Sequence, residues 1–593
     1  MVDISETLRR GMAHHQAGRL ADARAAYDEI LDAVPDHADA LHLTGLVEHQ
    51  SGDHVAAVAT IRRAIALDAK APLYHANLGR VLRAHGEDAP AAAAYRDAIA
   101  LAPDMADVHS DLAAALIALG DHEAARARAQ RALELDPGMA EPHLNLGLAL
   151  QGAGGPDAAG AEEALRRALD MEPGLAGGWL GLGILLQARG EAAAAGDAYA
   201  KALALDPGLV EAHVNLGNLK REACDFAEAV EHYRAGLELE PNNATAHGNL
   251  GVALQESGEV PAALAAYDAA LALAPEDAEV QRNRAMALLQ AGRFEEGWKA
   301  YEWRWKTRRF AGLDRHDELP RWHGEAALDA TLMMHAEQGY GDAIQFARYL
   351  PLAAERVGRV VLQCPQPLTG LLATVAGAHT VVATGDALPA CDVQVPLLSL
   401  PGVFRTELAT VPADVPYLQA DAATVARWRS WGDKLAGARV GLAWKGSAEH
   451  PRDIVRSPGL EVLRPLLDVP GVSFVSLQRD AEPEEYDCLD EVERARITDM
   501  AAAFVDFSDA AAVVAELDLV IACDTAMAHL AGALAKSVWV LLPHVAEWRW
   551  LEERLDSPWY PTARLFRQPA PGDWAGVVAE VRAALTKRST SAC

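Results

Sequence analysis

Two patterns of apolar and polar positions divide the chain. From residue 1 to about 308 a helix-turn-helix pattern recurs about every 34 residues, as in "PDMADVHSDLAAALIALGDHEAARARAQRALELD" and "PGLVEAHVNLGNLKREACDFAEAVEHYRAGLELE". Pro35, Pro103, Pro137, Pro173, Pro207, Pro241 and Pro275 open successive units, Ala69 replaces one of them, and about nine units result. Within a unit, Leu-Gly falls midway along the first helix (Leu78-Gly79, Leu146-Gly147, Leu216-Gly217, Leu250-Gly251). There the missing side chain permits close helix approach. An aromatic (Tyr95, Tyr199, Tyr233, Tyr267, Tyr301) fills the second helix at a fixed offset.

Past the polar stretch "AGLDRHDELPRWHGEAAL" the pattern changes to short apolar runs alternating with helical segments, the mark of parallel βαβ units. "TLMMHA", "RVVLQC", "HTVVAT" and "DVQVPL" read as strands of one sheet; "RVGLAW", "SFVSLQ", "LDLVIA", "VWVLLP" and "ARLFRQ" read as strands of another. The expected organisation is a helical repeat array over 1–308, a linker over 309–330, one Rossmann-like lobe over 331–418 and a second over 419–593. Such lobes place ligands at the C-terminal ends of their strands.

The repeats closely resemble the tetratricopeptide repeat, which implies a superhelix that binds protein or peptide. One register position is polar: Asn77, Asp111, Asn145, Asn215, Asn249 and Asn283. An amide offers both a donor and an acceptor, so this row can pair with the backbone of an extended peptide or can satisfy neighbouring helix ends. It looks like the asparagine ladder of eukaryotic O-linked N-acetylglucosamine transferases, which implies an acceptor-binding role. Two residues earlier, His75, His109, His143, His213 and His247 lie too far apart for a helical zinc pair and are read as packing residues.

Composition narrows the classes. A formal charge of −31 disfavours a general grip on nucleic acid or anionic membrane, and no apolar run is long enough to span a bilayer. The opening "MVDISETLRRGMAHHQ" lacks the features of a secretory signal, so a cytoplasmic protein is expected. Six scattered cysteines form no C-x-x-C pair and are read as buried thiols rather than as disulfides or zinc ligands. No G-x-G-x-x-G follows a first strand and no P-loop occurs, which argues against nicotinamide, flavin and P-loop nucleotide enzymes.

Three segments carry candidate chemistry. In "CDTAMAHLAG", Asp524 and Thr525 stand where an apolar strand becomes a helix, and His529 lies beyond the first turn. The junction is either a capped helix or an anion site, the latter worth about 0.3–1 kcal/mol from the helix dipole. "GLAWKGSAEHPRDIVRS" brings Lys445, Ser447, His450, Arg452 and Arg456 into one loop, able to face a diphosphate or phosphodiester or to stand unliganded. In "HAEQGYGDAIQFARYLP", Gly339 and Gly341 permit a tight turn. Asp342 stands at the following helix start, as a helix cap or as a general base, with Glu337 as second choice for the base. Trp548, Trp550, Trp559 and Tyr560 are read as aromatics that lock a loop to a core.

These segments resemble bacterial lipopolysaccharide heptosyltransferases, two-lobed enzymes of the GT-B class. The resemblance implies donor contacts for Gly341, Lys445, Ser447, His450, Arg452, Arg456, Asp524, Thr525 and His529, and a base role for Asp342. The junction words "YEWRW", "PRWHGE", "HAEQGYGD", "CDTAMAHLAGA", "EWRWL" and "DSPWYPTARLFRQ" are closer still to bacterial proteins that fuse tetratricopeptide repeats to such a domain. Some of those resemble flagellin glycosyltransferases that use a nonulosonic acid such as pseudaminic acid. Two departures concern the donor: Ala526 replaces the usual Gly, and Asp342 stands farther from Pro351 than the corresponding residues do.

The expected fold is thus an α-helical tetratricopeptide superhelix followed by an α/β GT-B module. The expected function is metal-independent transfer of a sugar from a nucleotide donor, in one form CMP-linked, to Ser or Thr of a protein such as flagellin. No D-x-D occurs in residues 309–593 to clamp a metal diphosphate. Two rivals stand beside it: a non-catalytic scaffold that binds a nucleotide sugar, and a transferase acting on lipopolysaccharide or another glycan.

Overall fold

The computed structural model describes residues 3–154, 158–313, 316–432, 434–448 and 453–591. His450 and Arg452, two of the candidate donor residues, lie outside them. The chain forms two compact units, Met1–Pro241 and Asn242–Cys593, so the last helical repeats share a unit with the sheets.

Helices α1 (Ile4–Gln16) to α18 (Phe294–Tyr301) run as nine antiparallel pairs among the described residues. Interior pairs consist of a 13-residue and a 14-residue helix. Short polar residues start several of them: the carboxylates of Asp53, Asp121 and Asp225 accept the N–H groups of Ala56, Ala124 and Glu228. The Leu-Gly signature has the geometry expected of it. A Cβ placed on Gly79 would lie 2.5 Å from the Tyr95 ring, and one on Gly251 equally close to Tyr267, so each glycine is the seat of its repeat's tyrosine.

The histidine row has a role beyond packing. His75, His109 and His213 each donate Nε2–H to the backbone carbonyl six residues earlier, that of Ala69, Pro103 and Pro207 respectively (3.0–3.2 Å). Trp179 and Gln281 do the same to Pro173 and Pro275. In these five repeats the residue at this position ties the first helix to the opening of its own repeat.

The sheets follow. Strands β1 (Ala327–His335), β2 (Val357–Cys364), β3 (Thr380–Ala383) and β4 (Val393–Pro396) form a parallel sheet of order β3-β2-β1-β4. Strands β5 (Ala438–Ala443), β6 (Val472–Ser476), β7 (Ile497–Asp499), β8 (Leu519–Cys523), β9 (Val538–Leu542) and β10 (Ala563–Arg567) form a second, order β10-β9-β8-β5-β6-β7, also parallel. Read from β7, this is the doubly wound order 3-2-1-4-5-6. Strands β8 and β9 are buried at every residue, which is why they read as unbroken apolar runs.

The segment 309–330 is more than a linker. Trp322 is wholly buried, donates its backbone N–H to Gln394 O (2.8 Å), and Arg321 bridges to the edge of β4. One apolar core runs from Ala285, Leu289, Phe294 and Trp298 of the last repeats through Met334 and Phe346 to Trp548, Trp550 and Trp559. Those tryptophans, with Tyr560, are buried packing residues. The thiols are less uniform than expected: Cys364 and Cys523 are buried, whereas Cys224 is exposed.

Cys224 stands at the tight turn between the two helices of its repeat, at φ 61°, where most repeats carry glycine in the left-handed conformation. A side chain there is strained. Cys224→Gly is expected to raise stability by about 0.5–1 kcal/mol, read as a higher midpoint in denaturant unfolding.

Candidate functional site

Each sheet reverses direction once, and the reversal leaves a crevice at the C-terminal ends of the two strands that flank it. In the first sheet these are β1 and β4, in the second β5 and β8. The two crevices are filled differently.

The first is taken by Arg304, which leaves the 3₁₀ turn Glu302–Lys306 at the end of the repeats and is 0% exposed. Its guanidinium donates to Glu337 Oε1 (2.6 and 3.1 Å), to Ser399 Oγ (2.7 Å) and to Glu302 Oε1 (2.8 Å). Burial pushes the Glu337 carboxyl up to about 7, against the pull of Arg304. The Glu337 side chain is 1% exposed and pinned to Arg304, so of the two candidate bases it is the one sealed from the surface.

The second crevice receives the loops after β5 and β8. Arg456 spans them, donating to the Asp524 carbonyl (3.2 Å) and to Asp453 (3.1 Å), while Ser457 Oγ accepts the Gly446 N–H (2.9 Å). Lys445 is paired with Glu485, whose other oxygen accepts the Trp444 indole N–H, so its charge is engaged by a carboxylate. Ser447 lies exposed in the same loop.

Thr525 precedes helix α20 (Ala526–Ala533), numbered here after α19 (Tyr340–Phe346). Its side chain makes no capping hydrogen bond, and its hydroxyl is buried without a partner. A capped helix would have used that hydroxyl, so the capping alternative does not describe this junction. Burial raises the Asp524 carboxyl to about 6, with the Glu547 charge adding to the shift and Arg549 opposing it. His529 is buried among arginines, which holds its pKa well below the usual value and leaves it neutral. Its Nδ1 is 2.9 Å from Tyr560 OH, its ring stacks on Trp550, and Nε2 is 3.9 Å from Asp524.

The two helix starts meet. A Cβ on Gly341 would lie 2.8 Å from the His529 ring and 3.6 Å from the Ala526 Cα, so α19 of the first lobe rests directly on α20 of the second. Asp342 accepts the Gly339 N–H (3.1 Å) and pairs with Arg549 of the second lobe. Burial raises its carboxyl and the arginine pulls it back.

Asp342, Gly341, Ala526, His529 and, through Arg549 and Glu547, Asp524 thus share one junction. Lys445 and Ser447 belong to the neighbouring loop. Arg456 was among the expected residues, whereas Arg304 and Arg549 were not. Their signal was present: the tetrapeptide Glu-Trp-Arg-Trp occurs twice, at 302–305 and 547–550.

The amide row is not uniform. Asn145, 7% exposed, donates to Ser110 O and Oγ (3.1 and 3.0 Å) and bridges two repeats rather than standing open to a peptide. Asn77 contacts His42 and Arg80, Asp111 pairs with Arg80, and Asn283 accepts from Arg282. Asn215 and Asn249 are half-buried.

With a doubly wound α/β sheet and a parallel companion behind a helical array, the chain combines two classes of fold. Residues 8–72, 76–140, 144–210, 214–278 and 253–302 match the tetratricopeptide repeat family, so the N-terminal part is an array of those repeats. Protein FlbA of Caulobacter vibrioides is 31% identical over an alignment of 319 residues that covers 49% of this chain and 52% of that protein. The chain thus spans about half the length of the curated relative it matches. Among solved structures, the Cut9–Hcn1 hetero-tetramer of APC/C aligns over 45% of this chain and 52% of that one (18% identity, TM-score 0.39). MamA aligns over 29% and 92% (24%, 0.26), and PilF of Pseudomonas aeruginosa over 35% and 93% (22%, 0.32). No helix among the described residues is long and apolar enough to cross a membrane.

Removing Arg304 strands a buried carboxylate. Arg304→Met is expected to cost about 3–5 kcal/mol in unfolding free energy. The loss shrinks as pH falls and Glu337 takes up a proton, and is partly restored by Glu337→Leu in the same chain. Denaturant titrations at several pH values check both points.

Proposed function

We propose that the chain is a GT-B glycosyltransferase that moves a sugar from a nucleotide donor to a hydroxyl of a polypeptide. The observation that carries this reading is the orphaned Thr525 hydroxyl at the uncapped start of α20, in the crevice between β5 and β8. Free N–H groups, a hydroxyl donor and the guanidinium of Arg456 nearby suit a leaving phosphate. Asp342, across the lobe junction with a carboxyl raised by burial, suits removal of the acceptor proton. No metal is invoked. The resemblance to flagellin glycosyltransferases makes flagellin the first acceptor and a CMP-linked nonulosonic acid the first donor to try. The amide row, apart from Asn145, is the proposed track for the acceptor chain.

A second reading, a scaffold that holds protein without turnover, is favoured by the close seating of Gly341 on His529 and Ala526. It predicts that flagellin keeps its mass whether or not a nucleotide sugar gives heat in calorimetry with this chain.

The transferase reading predicts a mass increase on flagellin in cells that carry this protein and none in cells that lack it. Thr525→Val should weaken nucleotide binding about 10- to 100-fold by loss of one charge-assisted hydrogen bond. Asp342→Asn should bind nucleotide normally and transfer at least about 100-fold more slowly. Unmodified flagellin in both cell lines would leave the scaffold.

A further inference from the structure

We infer that the two Glu-Trp-Arg-Trp turns are a matched pair of clamps on the loop from Glu337 to Asp342, and that Arg549 is the positioning residue for the Asp342 carboxylate. The inference deepens the proposed transfer and rests on it for its catalytic consequence, but the clamp itself is judged without any ligand.

The two turns repeat one another in detail. Both are 3₁₀ turns, and both arginines are buried, Arg549 at 5% exposure. In each, Nη1 pairs with the glutamate two residues earlier, Glu302 or Glu547, while Nη2 reaches a carboxylate of the same loop, Glu337 or Asp342. The glutamate within the turn holds its own arginine, so the guanidinium reaches the loop already oriented. Arg304 comes from the end of the repeats and Arg549 from the second lobe, so the loop of the first lobe is gripped from both neighbours.

The clamps differ where function would require it. Glu337 is sealed, whereas the Asp342 side chain is 19% exposed and open to a substrate group. Arg549 also fixes the helix that carries Asp342: Nε donates to Gln345 Oε1 (2.6 Å), one turn farther along α19. With the Gly339 N–H on the second oxygen of Asp342, both carboxylate oxygens are directed. The charged groups facing Asp342 are Arg549 and Glu547 from the second lobe and Arg309 from the end of the repeats.

The test uses the full chain in four forms: wild type, Arg549→Met, Asp342→Asn and the double variant. Thermal midpoints are followed from pH 4 to pH 8. At neutral pH the two single losses are expected to be strongly non-additive. The coupling should fade as pH falls and Asp342 takes up a proton, a dependence that mere packing of Arg549 would not show. Additive losses at every pH overturn the clamp.

With CMP-pseudaminic acid as donor and flagellin as acceptor, Arg549→Met is expected to slow transfer at least 10-fold. It should also move the acid limb of the pH profile up by about 1–3 units, because the cation that favoured the ionised carboxylate is gone. Arg549→Lys should recover part of the rate. Wild-type transfer that Arg549→Met leaves unchanged in rate and pH profile overturns the positioning role. A wild type that transfers nothing, with the thermal coupling intact, overturns the proposed transfer and the catalytic part of this inference while the clamp stands.

Discussion

A guanidinium withdrawn wholly from water is tolerable only where every direction it points in is met, and Arg304 is such a group. Its partners come from the repeat end (Glu302), from the loop after β1 (Glu337) and from the turn after β4 (Ser399). Because the desolvation cost is recovered only with all three in place, the arginine sets the register of the last repeat against the first sheet. Trp298 reinforces it by donating its indole N–H to Thr406 O (3.0 Å). The apolar core that joins the last repeats to both sheets follows from that docking.

The docking divides the work between two otherwise similar sheets. Each offers a crevice where its strand order reverses, and in the first that crevice is spent on holding Arg304. The second keeps its unsatisfied groups, the Thr525 hydroxyl and the start of α20. A chain of formal charge −31 can still suit an anion there, because Arg348, Arg456 and Arg549 are gathered within this one unit. Their field, together with burial, holds His529 neutral, so that it offers a hydrogen bond without adding charge.

The repeats and nine of the ten strands were legible because each rests on a local pattern: a recurring Leu-Gly, or a short apolar run between helical stretches. Strand β7 is three residues long, "ITD", with no such run, and exists only because β6 offers it an edge. Trp322 looked like part of a polar linker, and its burial depends on the Gln394 carbonyl, a distant partner. The site was half legible. Asp524 and Thr525 at a strand end, His529 beyond the first turn of the next helix, and Gly341 and Asp342 at a helix start were all found, and Asp524, His529, Gly341 and Asp342 do share one junction. The sealing of Glu337 and the part played by Arg549 were not legible for the same reason: what decides each is a partner 33 or 207 positions away, and no spacing reveals that.

The two polar rows of the repeats show how a periodic residue can be weighed once its partners are known. In the histidine row His75, His109 and His213 share one partner, the carbonyl six residues back, and Trp179 and Gln281 keep it where they substitute. A bond repeated in this way is what a structural requirement produces. The amide row repeats its residue type but not its partner: Asn77 meets a histidine, Asp111 an arginine, Asn145 a serine and its carbonyl. No single internal bond explains why an amide or a carboxylate recurs there. An extended backbone, with its regular alternation of donors and acceptors, is the partner that the proposed function assigns to these positions.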